Sequence, residues 1–116
     1  MQQQYRLRKR RDFQRVFKYG RSVANRHFVV YALKKNGQTS VRVGVSVSKK
    51  VAKRAVDRNR VKRLVKEVVR QWVGQLAPEY DIVVIARGAA VDLSYGRVEQ
   101  SLHHVLKKSL LFTRGK

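Results

Sequence analysis

Val41-Arg42-Val43-Gly44-Val45-Ser46-Val47-Ser48 alternates without a break. The four valines point one way and Arg42, Gly44, Ser46 and Ser48 the other, which is the period of a strand with one face on a core. The next regular stretch, Ala55 to Leu76, changes period. Val61, Leu64, Val65, Val68, Trp72 and Leu76 recur at helical spacing. Gly74 weakens that helix and Pro78, the single proline, ends it. Asp81-Ile82-Val83-Val84-Ile85-Ala86 then runs apolar on both faces, as expected of a central strand buried from both sides. A strand, a helix and a second strand in this order call for a sheet with helices packed on it.

Working outward, His27 to Leu33 reads as another strand, with Val29, Tyr31 and Leu33 on one side and Phe28, Val30 and Ala32 on the other. Asn36-Gly37 behind it is a strong hairpin signal. Ahead of it, Asp12 can cap a short helix. That helix places Phe13, Val16 and Phe17 on one face, and Gly20 is a plausible stop. At the far end, Asp92 or Ser94 can cap a last helix whose buried stripe is Val98, Leu102, Val105, Leu106 and Leu110. The elements run α-β-β-β or α-β-β, then α-β-α. We take the order α-β-β-β-α-β-α: an α/β chain, an α+β sandwich, with a mixed four-stranded sheet. Residues 1–116 carry no repeat and no linker, so one domain with short basic tails is expected.

Charge narrows the function. Lys plus Arg number 28 against 7 Asp plus Glu, a net charge of +21 over 116 residues. Such an excess strains a compact fold by self-repulsion, and a polyanionic partner relieves it. Cysteine is absent, which excludes disulfides and thiolate metal sites and suits a reducing cytoplasm. No apolar run reaches the roughly 20 residues that cross a bilayer, and Met1 to Arg6 lacks the apolar core of a signal peptide. A membrane partner is therefore not expected.

The charge is clustered. Residues 49–70 hold ten basic residues and two acids. On a helical wheel at about 100° per residue with Val61 as origin, the apolar stripe centres near about 20°. Asn59, Lys62, Arg63, Lys66 and Arg70 fall between about 100° and about 200° on the same wheel. A merely solvated face mixes signs in i,i+4 pairs; here only Glu67 does so. Lys53, Arg54, Arg58 and Arg60 crowd the helix start, where cations oppose the dipole by a few tenths of a kcal/mol each. A phosphate at the free N–H groups of that end would reverse the sign.

At this stretch the chain resembles a known family. Ser46-Val47-Ser48-Lys49-Lys50 followed by Arg58-Asn59-Arg60-Val61-Lys62-Arg63 is similar to the protein subunit of bacterial ribonuclease P. Asp12-Phe13, Val16-Phe17, Gly20, Phe28-Val29, Tyr31 and the run Asp81 to Arg87 follow in family order, so the resemblance covers about Leu7 to Leu111. It implies a partner of large catalytic RNA, and a holoenzyme that removes the 5′ leader of precursor tRNA by Mg²⁺-dependent hydrolysis. The active site would lie in the RNA, and a left-handed β-α-β crossover would lie in the fold. By the same resemblance, Lys49, Lys50, Arg54, Arg58, Asn59, Arg60, Lys62, Arg63 and Lys66 contact the catalytic RNA. Phe13, Phe17, Val29 and Tyr31 would line a cleft for the single-stranded leader, where aromatic faces stack on unpaired bases. Two departures stand out: Val51 to Val56 has no glycine, and Lys66 stands where the family often has Arg.

The residues themselves agree with a non-catalytic protein. Asp12, Asp57, Glu67, Glu79, Asp81, Asp92 and Glu99 are scattered and form no evident pair for two metal ions. His103 and His104 are helix neighbours about 100° apart, a poor ligand set. No metal or other cofactor is expected on the protein itself. Two alternatives remain open on composition: a ribosomal or other structural RNA-binding protein, and a DNA-binding protein. The latter lacks helix-turn-helix spacing or a dimer seam, so DNA is not an expected partner.

Overall fold

The computed structural model describes residues 3–113. Helix α1 (Arg10–Tyr19) leads into strands β1 (Arg21–Ala24) and β2 (Phe28–Lys34). Strand β3 (Arg42–Ser46), helix α2 (Ala55–Arg70), strand β4 (Tyr80–Ala86) and helix α3 (Tyr95–Lys108) follow. The four strands form one mixed sheet in the order β1-β2-β4-β3. β2 runs antiparallel to both β1 and β4, and β3 runs parallel to β4.

This order corrects one expectation. Asn36-Gly37 does form a turn, with Gly37 at φ 85°, where a glycine has no Cβ to clash. The strands it joins do not pair as a hairpin, because β4 lies between them. The reason is in β4: Ile82, Val83 and Val84 are completely buried and bury apolar surface on both faces, which only a central place satisfies. The short edge strand β1 was not localised by its sequence, since Arg21-Ser22-Val23-Ala24 has a single bulky apolar residue. It is held by its register on β2, from Arg21 opposite Ala32 to Ala24 opposite Val29.

One face of the sheet carries the main core. Phe28, Val30, Val43, Val45, Ile82 and Val84 meet Val61, Val65 and Val68 of α2 and Val98, Leu102 and Val105 of α3. The other face carries α1, whose Val16 joins Leu7 and Val83 in a second, smaller cluster. The division of β2 into Phe28, Val30, Ala32 and Val29, Tyr31, Leu33 is the one its alternation predicts.

Three end positions differ from the sequence reading, and two agree with it. Asp12 is not the cap of α1; Lys9 is, and Asp12 lies within the first turn, buried against Arg42 at 3.7 Å. Gly20 does end α1, in an ordinary extended conformation. Its requirement is space: an added Cβ would stand 2.6 Å from the Val16 carbonyl oxygen and 2.8 Å from that of Ala32. Helix α2 stops at Arg70 rather than Leu76. There the chain turns to pair with the C-terminal segment through Leu76 and Phe112, while Trp72 packs edge-on to Phe112 and His103. Leu110 is not in the stripe of α3. It is 82% exposed at φ 61°, and Leu111 is buried in its place. Ser94 caps α3, its hydroxyl accepting from the Arg97 N–H.

Candidate nucleic-acid interface

Arg54 is the N-cap residue of α2, so the helix begins at Ala55, three residues before the Arg58-Asn59-Arg60 run. The nine basic-face residues predicted from sequence fall into two groups. Lys49, Lys50, Asn59, Lys62, Arg63 and Lys66 make no side-chain hydrogen bond or ion pair among the described residues. Arg54, Arg58 and Arg60 are engaged. Arg54 pairs with Asp57 at 3.5 Å. Arg58 folds back to donate to the carbonyls of Ala52 at 2.9 Å and Lys53 at 2.7 Å, tying down the loop before the helix. Arg60 donates to the carbonyls of Val91 and Leu93, which holds the segment entering α3. These contacts explain why cations crowd that helix end: two of them bind carbonyl oxygens of neighbouring loops. Arg70 is taken up by Glu67.

One cation of this face was not among the predicted residues. Arg6 forms a parallel bridge to Val43, and the Leu7 N–H donates to the Val43 carbonyl at 3.0 Å, so the N-terminal segment runs along the edge of β3. The Lys66 ammonium is pushed below the usual lysine range by burial and by the charges of Arg6 and Lys62. An anion here would remove a repulsion already present in the fold. Sequence spacing could not reveal Arg6, because its approach depends on the bridge to β3.

The cleft residues also come together. On the α1 face of the sheet, Ser22, Tyr31, Val83 and Gly44 form one row across the four strands, and Ala24, Val29, Ile85 and Ser46 the next. Helix α1 lies across the first row. Phe13 rests on Gly44, where an added Cβ would stand 2.4 Å from the Phe13 ring. Phe17, 40% exposed, meets Tyr31 edge-on with ring centroids 5.1 Å apart. Val29 and Ile85 in the second row are half-buried. Phe13 is the most committed to packing, beside Leu7, Val16 and Val83. Phe17 is the ring most available to a base.

The mouth of this groove is fixed by a buried ion network. Arg42 donates to both carboxylate oxygens of Asp81, at 2.9 and 2.7 Å, and faces Asp12 of α1 at 3.7 Å. Asp81 is 2% exposed, and its hydrogen bonds hold the Arg42 guanidinium even more firmly charged than usual. Both carboxylates are therefore spoken for by a cation. Among the described residues, no group of three or more His, Cys, Asp or Glu could hold a metal ion. No helix is long and apolar enough to cross a membrane.

Comparison with known proteins gives a consistent result. The family model described as ribonuclease P matches residues 1–110. The ribonuclease P protein component of Shouchella clausii is 52% identical over 109 residues, covering 94% of this chain and 88% of that protein. That of Exiguobacterium sibiricum is 51% identical over 114 residues, covering 98% and 97%. The structure of the Staphylococcus aureus RNase P protein superposes with a TM-score of 0.86 at 43% identity, over 94% of this chain and 98% of that one.

Proposed function

This chain belongs to the ribonuclease P protein family, and from that premise we propose that it meets its RNA partners through two separate faces. It is a subunit of ribonuclease P, the endonuclease that processes tRNA 5′ ends, and the ribosomal alternative falls away. The first face is the outer side of α2, with Lys49, Lys50, Asn59, Lys62, Arg63 and Lys66, joined by Arg6. It binds the catalytic RNA through backbone phosphates. Arg54, Arg58 and Arg60 border it; Arg58 and Arg60 turn to phosphate only by leaving the carbonyls they now hold, and Arg54 by leaving Asp57. The second face is the cleft of Phe13, Phe17, Val29 and Tyr31, which takes the single-stranded 5′ leader by stacking. RNA, not DNA, is the nucleic acid bound, and the cytoplasm is the compartment.

The observation that carries this reading is the lysine of α2. Lys66 is half-buried beside two other cations with no acid to answer it. A fold tolerates such repulsion where a polyanion removes it. Asp12 and Asp81, the two buried carboxylates, are both taken up by Arg42 rather than left to share a metal ion. On this proposal the Mg²⁺ that the hydrolysis needs is held by the RNA, and this protein contributes binding and orientation.

Two substitutions separate the faces. Arg63→Ala, which frees no carbonyl, weakens assembly with the catalytic RNA about fivefold, the order of one lost phosphate contact, and leaves the preference for precursor over mature tRNA unchanged. Tyr31→Ala does the reverse. Unchanged assembly in Arg63→Ala, or a loss of assembly in Tyr31→Ala, would overturn the division.

A further inference from the structure

A second cationic site lies on the opposite edge of the sheet from Arg6 and Lys66. The turn between β1 and β2 packs against α3 around a cavity of about 400 Å³. Its floor is a closed hydrogen-bond network. The Asn25 side chain accepts from the backbone N–H groups of His27 and Phe28 at 3.0 and 2.9 Å. Its amide nitrogen donates to the carbonyl and hydroxyl of Ser101 at 2.9 and 3.1 Å, and lies 3.3 Å from His104 Nδ1. His27 Nδ1 is 2.9 Å from the same Ser101 hydroxyl. Asn25 and Ser101 thus fix the places of both imidazoles.

The rim is different. Arg26 and Arg97 face the cavity, and their guanidiniums make no hydrogen bond or ion pair among the described residues. Nearby cations behave otherwise: Arg87 donates to the Asn25 carbonyl and Lys108 to that of Ala24. No carboxylate lines the cavity. The acid of α3, Glu99, accepts from Gln71 of the segment after α2. Burial, and after it the charges of Arg26 and Arg97, push the His27 imidazole below its ordinary value. Two free guanidiniums and two positioned imidazoles around an acid-free hollow have the donor set of a phosphate site.

We propose that the cavity walled by Arg26, His27, Arg97 and His104 binds a backbone phosphate of an RNA partner, as a third contact beyond the α2 face and the leader cleft. The proposal rests on the reading of this chain as a ribonuclease P subunit, because that reading supplies the RNA. A free phosphate ion would satisfy the same donors, and the two sources are separable.

The experiment has two arms. In the reconstituted holoenzyme, affinity for the catalytic RNA and for precursor tRNA is measured against salt for the parent, Arg97→Ala and Lys34→Ala. Lys34→Ala removes the same charge at the far end of β2, where Lys34 faces Glu79. Arg97→Ala is expected to lose about fivefold in one of the two affinities and to flatten its salt slope by about one, the signature of one phosphate contact. Lys34→Ala should stay within about twofold, since it leaves phosphate contacts intact. In the second arm, inorganic phosphate is titrated into the full chain while the imidazole NMR signals of His27 and His104 are followed. Both should shift in the parent and stay still in Arg97→Ala. If Arg97→Ala and Lys34→Ala behave alike, the RNA contact is wrong. A phosphate shift in that case would assign the cavity to a free anion, and no shift would dismiss it as a phosphate site. Cleavage by the parent holoenzyme in the same tubes reports separately on the subunit assignment, which survives if only the cavity fails.

Discussion

Leu110 is the residue that sits least comfortably. At φ 61° it occupies the left-handed position past α3, with its N–H on the Lys107 carbonyl and the next N–H, of Leu111, on that of Leu106. This is the Schellman arrangement, in which glycine is the usual occupant. A leucine there costs about 1 kcal/mol in backbone strain, and its side chain, 82% exposed, recovers little of that by burial. Leu110→Gly is expected to raise stability by up to about 1 kcal/mol in a denaturant or thermal melt. A second residue-scale test concerns the groove. Phe13→Ala should cost about 2 kcal/mol, because the ring packs on Gly44 and the Leu7–Val16–Val83 cluster. Phe17→Ala should cost under about 1 kcal/mol, because the ring is largely at the surface; its loss should appear in leader binding instead. Equal costs for the two would contradict the placing of Phe13 as wall and Phe17 as stacking ring. The basic stripe of α2 was legible at this scale from spacing alone, since a helix fixes which residues share a face. What Arg58 and Arg60 do with that face was not, because their partners are carbonyls of Ala52, Lys53, Val91 and Leu93 that only the folded loops bring near.

Among the elements, α1 and the sheet make the groove, and its depth is set by a missing side chain. Gly44 lets α1 lie close enough for Phe13 to touch the backbone of β3. Gly44→Ala should push the Phe13 ring outward by forcing apart a 2.4 Å contact. The expected result is a weakened preference for precursor over mature tRNA, with assembly on the catalytic RNA nearly unchanged, measured by the affinities of the reconstituted holoenzyme. Loss of both together would mean that α1 also supports the α2 face. Periodicity located α1, α2, α3, β2, β3 and β4, because each repeats an apolar pattern long enough to register. It missed β1, whose pairing is dictated by β2, and it overran α2. The helix pattern continues through Trp72 and Leu76, but those side chains are claimed by the C-terminal segment rather than by another helical turn. The hairpin inference failed for a related reason: a turn signal is local, whereas the insertion of β4 between β2 and β3 follows from burial on both of its faces.

For the whole molecule, the sheet separates the two faces proposed to bind RNA. Its one face carries α2 and α3 with the main core, and its other face carries α1 and the groove. Seven carboxylates against 28 cationic side chains leave a net charge of +21, and the buried carboxylates are used to anchor Arg42. The proposed function makes the protein a subunit that brings binding surfaces to a reaction whose chemistry lies in its RNA partner. The measurement that tests this most directly is cleavage of a 5′-labelled precursor tRNA at low Mg²⁺ and moderate salt in four mixtures: the protein alone, a bacterial ribonuclease P RNA alone, both together, and neither. Cleavage at the mature 5′ end only in the combined mixture is the predicted result. Cleavage by the protein alone would contradict the proposed division of labour, because it would place a catalytic centre on the protein itself.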